Sequence, residues 1–317
     1  MNHRAPPVFA RHFDGKRFYN PNAPQAPGYL DVLRWKLTSR PDPSPRSVAD
    51  VEPGIPPRRV EGDRLRVTLV NHSTVLLQHR GCNILTDPIW SERASPVSWI
   101  GPRRRRQPGV SWEHLPPIDA VLISHNHYDH CDLPSLRRLA AAGVSTFVVP
   151  ARTAQLLRSA GIGTVHELDW GESLSLEPFT IHSVPALHSA ARGILDRNRS
   201  LWCGYVLESA ERRIYFAGDT AFGPHFAWIG EHFGPPHVAL LPIGAYRPQW
   251  FMSRVHMSPE EAVEAHRILS AGTSIAIHHG TFQLSDEALD APRERLLACA
   301  PRDSFLILGN GRFAEIP

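Results

Sequence analysis

The sequence predicts an α/β protein, with strands and helices layered around one core. Three observations point there. From residue 64, short apolar runs of strand length follow in quick succession: RLRVTLV, TVLLQH and CNILTD. After residue 119, strand-like and helix-like segments alternate as DAVLIS, LPSLRRLAAAG, STFVVP and ARTAQLLRSAG, a pattern that lays helices on sheets. The 317 residues, 42% hydrophobic and 21% charged, have the length and composition of one large decorated domain or two modest ones.

Taken in order, residues 1–62 differ from the rest. They are proline-rich (PNAPQAPG, RPDPSPR, EPGIPPRR) and short of periodic apolar pattern. One amphipathic stretch, YLDVLRWKL, has helical character. This part reads as an arm that packs on a core formed by residues 63–317. After the alternating segments comes a β-rich stretch, TIHSVPAL, WCGYVLES and RRIYFAG. The last third holds HVALLPI, a helix at SPEEAVEAHRILSAG, and the strands SIAIH and FLIL. Ser258, Pro259 and Glu261 give that helix a capping-box start. No internal repeat is present.

Composition narrows the function. The 34 basic and 31 acidic residues leave a net charge of +3, too weak to argue for a nucleic-acid partner. The basic residues are nearly all arginine, with lysine at Lys16 and Lys36. Cys82, Cys131, Cys203 and Cys299 are scattered without a CxxC pair, as free thiols in a reducing compartment would be. No apolar run reaches about 18 residues, the length of a membrane span, and MNHRAPPVFARHFDG lacks the apolar core of a signal peptide. The expected location is the cytoplasm, including the inner face of its membrane.

The chemistry concentrates at strand ends. ISHNHYDHCD follows the strand DAVLIS and sets His125, His127, Asp129 and His130 within six positions. His188 follows TIHSVPAL, Asp219 follows RRIYFAG, and His278 and His279 end SIAIH. Four strands each end in potential metal ligands, where a rigid sheet holds loops in place. His125 and His127, two apart, can share one metal, while Asp129 and His130 serve a second and Asp219 bridges. Imidazole and carboxylate without thiolate suit zinc, with iron or manganese as alternatives. Two such metals make a hydroxide at neutral pH and clamp both oxygens of an in-line displacement.

SHNHYDH resembles the HxHxDH signature of the metallo-β-lactamase superfamily, and His188, GDT at 218–220 and His278 follow in that family's order. The resemblance implies a four-layer αββα sandwich with a two-metal site at one edge. LTDPIWSERASP, ELDWGE, FAGDTAF, GPPHVALLPIGAYRPQWFM, HMSPEEAVEAH and AIHHGTF are further similar to N-acylphosphatidylethanolamine-hydrolysing phospholipases D and their bacterial relatives, over about residues 64–285. FDGKRFYNP, before that span, is similar to the bacterial members. Carried over, His125, His127 and His188 hold one zinc, and Asp129, His130 and His278 the other, with Asp219 bridging. His279 falls on a variable position of the motif and is expected beside the ligands or at the rim.

Further roles follow as expectations. Asp129, Asp219 and His256 are candidate catalytic groups, Asp219 as proton acceptor and His256 as a contact to phosphate or leaving group. His72 and Asp87 are placed to orient ligand imidazoles. Tyr246, His256 and the cluster Trp250, Phe251 and Met252, in a loop-like setting, are candidate substrate contacts. The N-terminus of the helix from Ser258 is expected to attract phosphate. The implied reaction is phospholipase D-type hydrolysis of N-acylphosphatidylethanolamine or a related phospholipid to phosphatidic acid and an N-acylethanolamine. A soluble sugar-phosphate lactone or cyclic phosphodiester is the alternative, since the lactonase group of ascorbate-phosphate chemistry is similar in motif. Peripheral membrane contact is expected through Trp90, Trp99, Ile100, the 248–252 cluster and Arg103–Arg106, and the relatives suggest a homodimer. One departure stands out: family members often carry Gln-His-Trp around the ligand at 188, and this chain has Leu187 and Ser189, which places substrate identity in question.

Overall fold

The apolar runs form strands whose two faces are both covered, and this sets the layers. A computed structural model describes Phe9 and residues 11–316; residues 1–8, 10 and 317 lie outside it, with the start of the proline-rich arm. One seven-stranded sheet holds β1 (Leu65–Asn71), β2 (Thr74–His79), β3 (Cys82–Thr86), β4 (Ala120–Leu122), β5 (Phe147–Pro150) and β6 (Val165–Leu168) side by side. The other runs from β7 (Ser173–Leu176) through β8 (Phe179–Val184), β9 (Gly204–Glu208), β10 (Arg213–Phe216), β11 (Val238–Pro242) and β12 (Thr273–Ile277) to β13 (Phe305–Leu306). The last strand, β14 (Phe313–Ile316), returns to pair antiparallel with β1, Leu65 opposite Ile316.

Side chains alternate between layers with period two. Ala120 and Leu122 of β4, Ile214 and Phe216 of β10, and Ile275 and Ile277 of β12 meet between the sheets. Val121 faces outward to Leu136 and Leu139 of α2 (Leu133–Ala141) and Leu157 of α3 (Ala154–Ser159). Tyr215, Ala239 and Ala276 face outward on the second sheet. They pack with Phe226 and Ile229 of α4 (His225–Phe233), Ala262 of α6 (Pro259–Ile268) and Leu296 of α7 (Ala291–Cys299). The result is helix, sheet, sheet, helix, as the resemblance implied. Covering on both faces is why the strands read as nearly unbroken apolar runs.

Two helices matter for the site. The first, α1 (Tyr29–Thr38), lies in the proline-rich arm and has no fully buried residue. Trp35 Nε1 donates to Asp286 at 3.0 Å and its ring stacks on Phe251 at 5.0 Å. The second, α5 (Gln249–Met252), is one short turn of helix where a loop was expected. Elsewhere in the arm, Phe9 and Phe18 enter the inter-sheet core.

The capping box of α6 is formed. Glu261 N donates to Ser258 Oγ at 3.3 Å, and Ser258 N donates to Glu261 at 2.7 Å. With its own cap in place and Glu260 and Glu261 in the first turn, this helix end attracts phosphate less than expected, because the Ser258 hydroxyl takes the Glu261 amide and the carboxylates offset the dipole. Ser258→Ala is expected to lower stability by about 1 kcal/mol, measurable as a shift in a urea unfolding midpoint.

Candidate metal centre

The seven candidate ligands converge at one end of the sandwich. The turn after β4 carries His125, His127, Asp129 and His130; the segment after β8 carries His188; the ends of β10 and β12 deliver Asp219 and His278. Gly218 makes the approach of Asp219 feasible. Its φ is +60°, and a Cβ there would sit 2.6 Å from Ser124 Cβ, so a larger residue could not follow this path.

The donors form two groups. His125 Nε2 lies 2.8 Å and His188 Nε2 3.3 Å from His127 Nδ1. Asp129 Oδ2 lies 3.2 Å from His130 Nε2 and 3.4 Å from His278 Nε2. Asp219 stands between. Its Oδ2 is 3.1 Å from both His130 Nε2 and His278 Nε2, and 3.9 and 3.8 Å from the Nε2 atoms of His125 and His188. Ligand atoms around a tetrahedral zinc sit about 3.3 Å apart, from bonds near 2.0–2.1 Å, so these spacings suit shared cations.

The hydrogen bonding supports the fit. His188 Nδ1 donates to the Val255 carbonyl at 2.7 Å and His130 Nδ1 to Asp87 Oδ2 at 2.6 Å. Ser124 Oγ donates to Asp87 at 2.6 Å and accepts from His125 Nδ1 at 2.9 Å. Each of these rings spends its Nδ1 proton outward and turns an Nε2 lone pair inward, the arrangement of metal-ligating histidines. His130 Nε2, His278 Nε2 and Asp219 Oδ1 are buried without hydrogen-bond partners. Facing acceptors of this kind need positive charge among them, which a bound cation supplies or, in its place, protons on His130 and His278.

The expected orienting groups fall differently. Asp87 serves His130 directly and His125 through Ser124, a link the motif reading missed although Ser124 lies beside His125. His72 Nε2 donates to Asp129 Oδ2 at 3.0 Å, and its backbone oxygen accepts from His278 N at 2.9 Å. His279 lines a polar cavity of about 330 Å³ with Asp50, Glu52, Arg106 and Asp290, and shares a second, smaller space with the ligand candidate His278.

Beside the first donor group lies an apolar cavity of about 440 Å³. His127, His188 and His256 form its polar end; Val32, Trp35, Phe251, Met252 and Val255 are among its apolar walls. His256 sits with Nδ1 3.9 Å from Asp219 Oδ2. Two expected contacts are corrected. Tyr246 is buried away from the cavity, its ring under Arg295 at 4.7 Å. Trp250 is half-exposed outside, under Arg34 at 4.6 Å, because α5 turns Phe251 and Met252 inward in its place. Of the departure pair, Ser189 lines the cavity, while Leu187 belongs to the inter-sheet core.

Electrostatics divide the histidines. Burial holds His72, His188 and His256 down to about 3 and His127 to about 4. His278 is carried up to about 9: burial opposes this, but Asp219 and Asp129 outweigh it. His130 is raised well above its ordinary value in the same way, by Asp219, Asp129 and Asp87. Groups with depressed folded values bind more protons when unfolded, so their stability contribution is lost as pH falls below about 6.5. For one such histidine the loss is about 2 kcal/mol between pH 6.5 and 5. The raised pair, His130 and His278, contributes fully below about 6.5 and loses that contribution as pH rises towards 9. Metal-stripped protein is therefore expected to be most stable near neutral pH and to melt at lower temperature at pH 5, as thermal unfolding across pH would show.

The beta-lactamase superfamily domain matches residues 82–279. A Caenorhabditis elegans protein named N-acyl-phosphatidylethanolamine-hydrolyzing phospholipase D 1 is 38% identical over 308 residues, covering 89% of this chain and 86% of its own. A mitochondrial protein of the same type from Saccharomyces cerevisiae is 36% identical over 77% of this chain and 54% of its own. Among solved structures, a metallo hydrolase from Ignicoccus hospitalis superposes with a TM-score of 0.59 at 21% identity, over 80% of this chain and 99% of its own. An isothiocyanate hydrolase from Delia radicum gut bacteria gives 0.62 at 22%, over 78% and 98%. These two structures share the fold.

Proposed function

Because this chain belongs to the metallo-β-lactamase superfamily and is a metal-dependent hydrolase, we propose that it hydrolyses a phosphodiester of a long-chain lipid in phospholipase D fashion. N-acylphosphatidylethanolamine is the substrate that best accounts for the site. The observation that carries this reading is the apolar cavity, which ends on His127, His188 and His256. Its walls suit an acyl chain and its polar end suits a phosphoryl group. The name of the Caenorhabditis elegans relative points the same way.

In this reading His125, His127 and His188 would hold one ion and Asp129, His130 and His278 the other, with Asp219 placed to serve both. Zinc suits the donors, and iron or manganese are the alternatives. Such ions, when bound, lower the pKa of water and stabilise charge on phosphoryl oxygens. The protein's part is positioning and proton handling. Asp219 is placed to accept a proton from the attacking water. His256 is placed to donate a hydrogen bond to a phosphoryl or leaving oxygen at the cavity end. Water adds to phosphorus, the bond to the N-acylethanolamine oxygen breaks, and that oxygen takes up a proton. Phosphatidic acid and N-acylethanolamine result.

The test offers metal-loaded protein N-acylphosphatidylethanolamine in mixed micelles, beside bis-p-nitrophenyl phosphate and a panel of lactones. Release of N-acylethanolamine, lost in Asp219→Asn, is the expected result. Turnover of the small diester or a lactone alone would overturn the lipid reading and point to the wall at Ser189 as the place where specificity changed.

A lipid substrate needs a route from the bilayer, and α1 supplies the surface for it in this reading. Val32 and Trp35 line the cavity. On another face Leu30, Leu33 and Leu37, spaced along one stripe, are 82%, 55% and 78% exposed. Ile194 and Leu195 stand out nearby, 77% and 79% exposed. Trp99 and Ile100 are exposed, whereas the arginine run faces outward only in part, with Arg103 exposed and Arg105 half-buried. Arg104 and Arg106 are buried, Arg104 bonded to Asn71, Ile89 and Ser91. Among the described residues no helix is long and apolar enough to cross a membrane. Changing Leu30, Leu33 and Leu37 to serine is expected to weaken partition onto anionic vesicles by about tenfold or more, since each leucine offers up to about 1.5–3 kcal/mol on full burial. KM for micellar lipid should rise while turnover of the small diester stays unchanged.

A further inference from the structure

We propose that Arg106 is a positioning residue for the metal centre, pinning from behind the turn that carries His278 and tying that turn to the N-terminal arm. The inference rests on the two-metal reading above and adds a residue that touches no ligand atom.

The turn 278–281 has an unusual backbone. His278 has φ +58° and Gly280 φ +68°, two left-handed residues two positions apart. A non-glycine residue in that region costs about 1–2 kcal/mol and persists where surroundings hold it. The holds can be named. His278 N donates to the His72 carbonyl at 2.9 Å, and His72 N donates to Thr281 Oγ1 at 3.0 Å. From the opposite side, Arg105 N donates to the Thr281 carbonyl at 2.8 Å, and Arg106 Nη1 donates to the Gly280 carbonyl.

Arg106 can press on that carbonyl because carboxylates fix the rest of its guanidinium. Nε donates to Asp50 Oδ1 at 2.7 Å and Nη2 to Asp50 Oδ2 at 3.1 Å, a bidentate pair. Nη2 also reaches Asp290, the residue before α7, at 3.0 Å. The side chain is 9% exposed. Its forked geometry serves two carboxylates and one carbonyl at once, which a lysine ammonium does not reproduce. Asp50 belongs to the arm, and beside it Val48 N donates to the Arg105 carbonyl at 2.7 Å. The arm thus reaches the ligand loop through one buried cation.

The prediction is specific to one of the two metal positions. Arg106 supports His278, which belongs with Asp129 and His130, whereas His125, His127 and His188 hang from other segments. Zinc release from loaded protein to graded chelator, followed with the melting temperature, separates the two positions. Arg106→Gln is expected to weaken one release step by about 10–100-fold, the usual cost of losing an outer partner of a ligand, and to leave the other step near the parent. Arg106→Lys should recover part of that loss. Arg213→Gln, which breaks a pair with Glu208 away from the centre, is the control for stability alone and should move neither step.

Unchanged release in Arg106→Gln overturns the proposal. So does equal weakening of both steps in proportion to a fallen melting temperature. If Arg106→Gln does not fold, Asp50→Asn and Asp290→Asn each leave the arginine with one carboxylate fewer; weakening of a single step supports the clamp and no change overturns it. A parent that releases one ion overturns the two-metal reading instead. Arg106 is then judged on that ion, where an unchanged affinity overturns the clamp.

Discussion

Asp219→Asn is expected to lower kcat by about 10²–10⁴-fold, the loss of a positioned base, with a further loss in metal content. Its Oδ2 is 3.1 Å from two ligand nitrogens and under 4 Å from two others. The amide keeps the shape and removes the charge that both donor groups share. It also turns one acceptor into a donor facing His130 and His278. The carboxylate is held well below its ordinary value: burial opposes this, and the cationic partners His130 and His278 outweigh it. It is therefore ionised across the working range of pH, and no accessible pH restores a base to the variant. Steady-state kinetics beside metal analysis check this. A variant with parental kcat would remove Asp219 from the chemistry.

Asp87→Ala is the second large effect, and it reaches further than one ligand. Asp87 is fully buried and accepts from Ser124 N, Ser124 Oγ and His130 Nδ1. Removing it leaves the Nδ1 proton of His130 without its buried acceptor, while Nε2 keeps Asp219 and Asp129; breaking such a buried pair costs up to roughly 3–5 kcal/mol. It also frees Ser124, and with it the orientation of His125, so both metal positions should weaken, by about 10–100-fold each. Ser124→Ala should affect the His125 position alone. Chelator competition on both variants separates the cases, and a selective effect in Asp87→Ala would contradict the shared role.

How much of this was legible in the sequence depends on how local the cause is. TVLLQH became β2 with the same ends, and the box at Ser258 formed as spelled. Apolar runs and caps are local signals. The ligand candidates could be named because strand ends and short spacings mark them. By contrast β6, β7 and β14 are four residues each with exposed or half-buried positions, too short for periodicity to speak. The arginine run misled because a row of charges resembles a solvated face. Asp50 and Asp290, far away in the chain, decide that Arg106 is buried. Tyr246 and Trp250 misled for a related reason. A motif gives order along the chain, but the direction of a side chain depends on the helix turn at 249–252, which the neighbouring prolines obscured.

The placement of the seven donors at the seam between two sheets has a consequence during synthesis of the chain. His125 to His130 come from the first sheet, whereas His188, Asp219 and His278 come from the second. A nascent chain that has made β1 to β6 exposes four donors and no enclosure. Complete cages arise when His278 has emerged and β12 has docked. Tight capture of an ion thus waits for the finished architecture, and the choice among competing ions falls to a shaped cavity rather than to a flexible histidine-rich peptide.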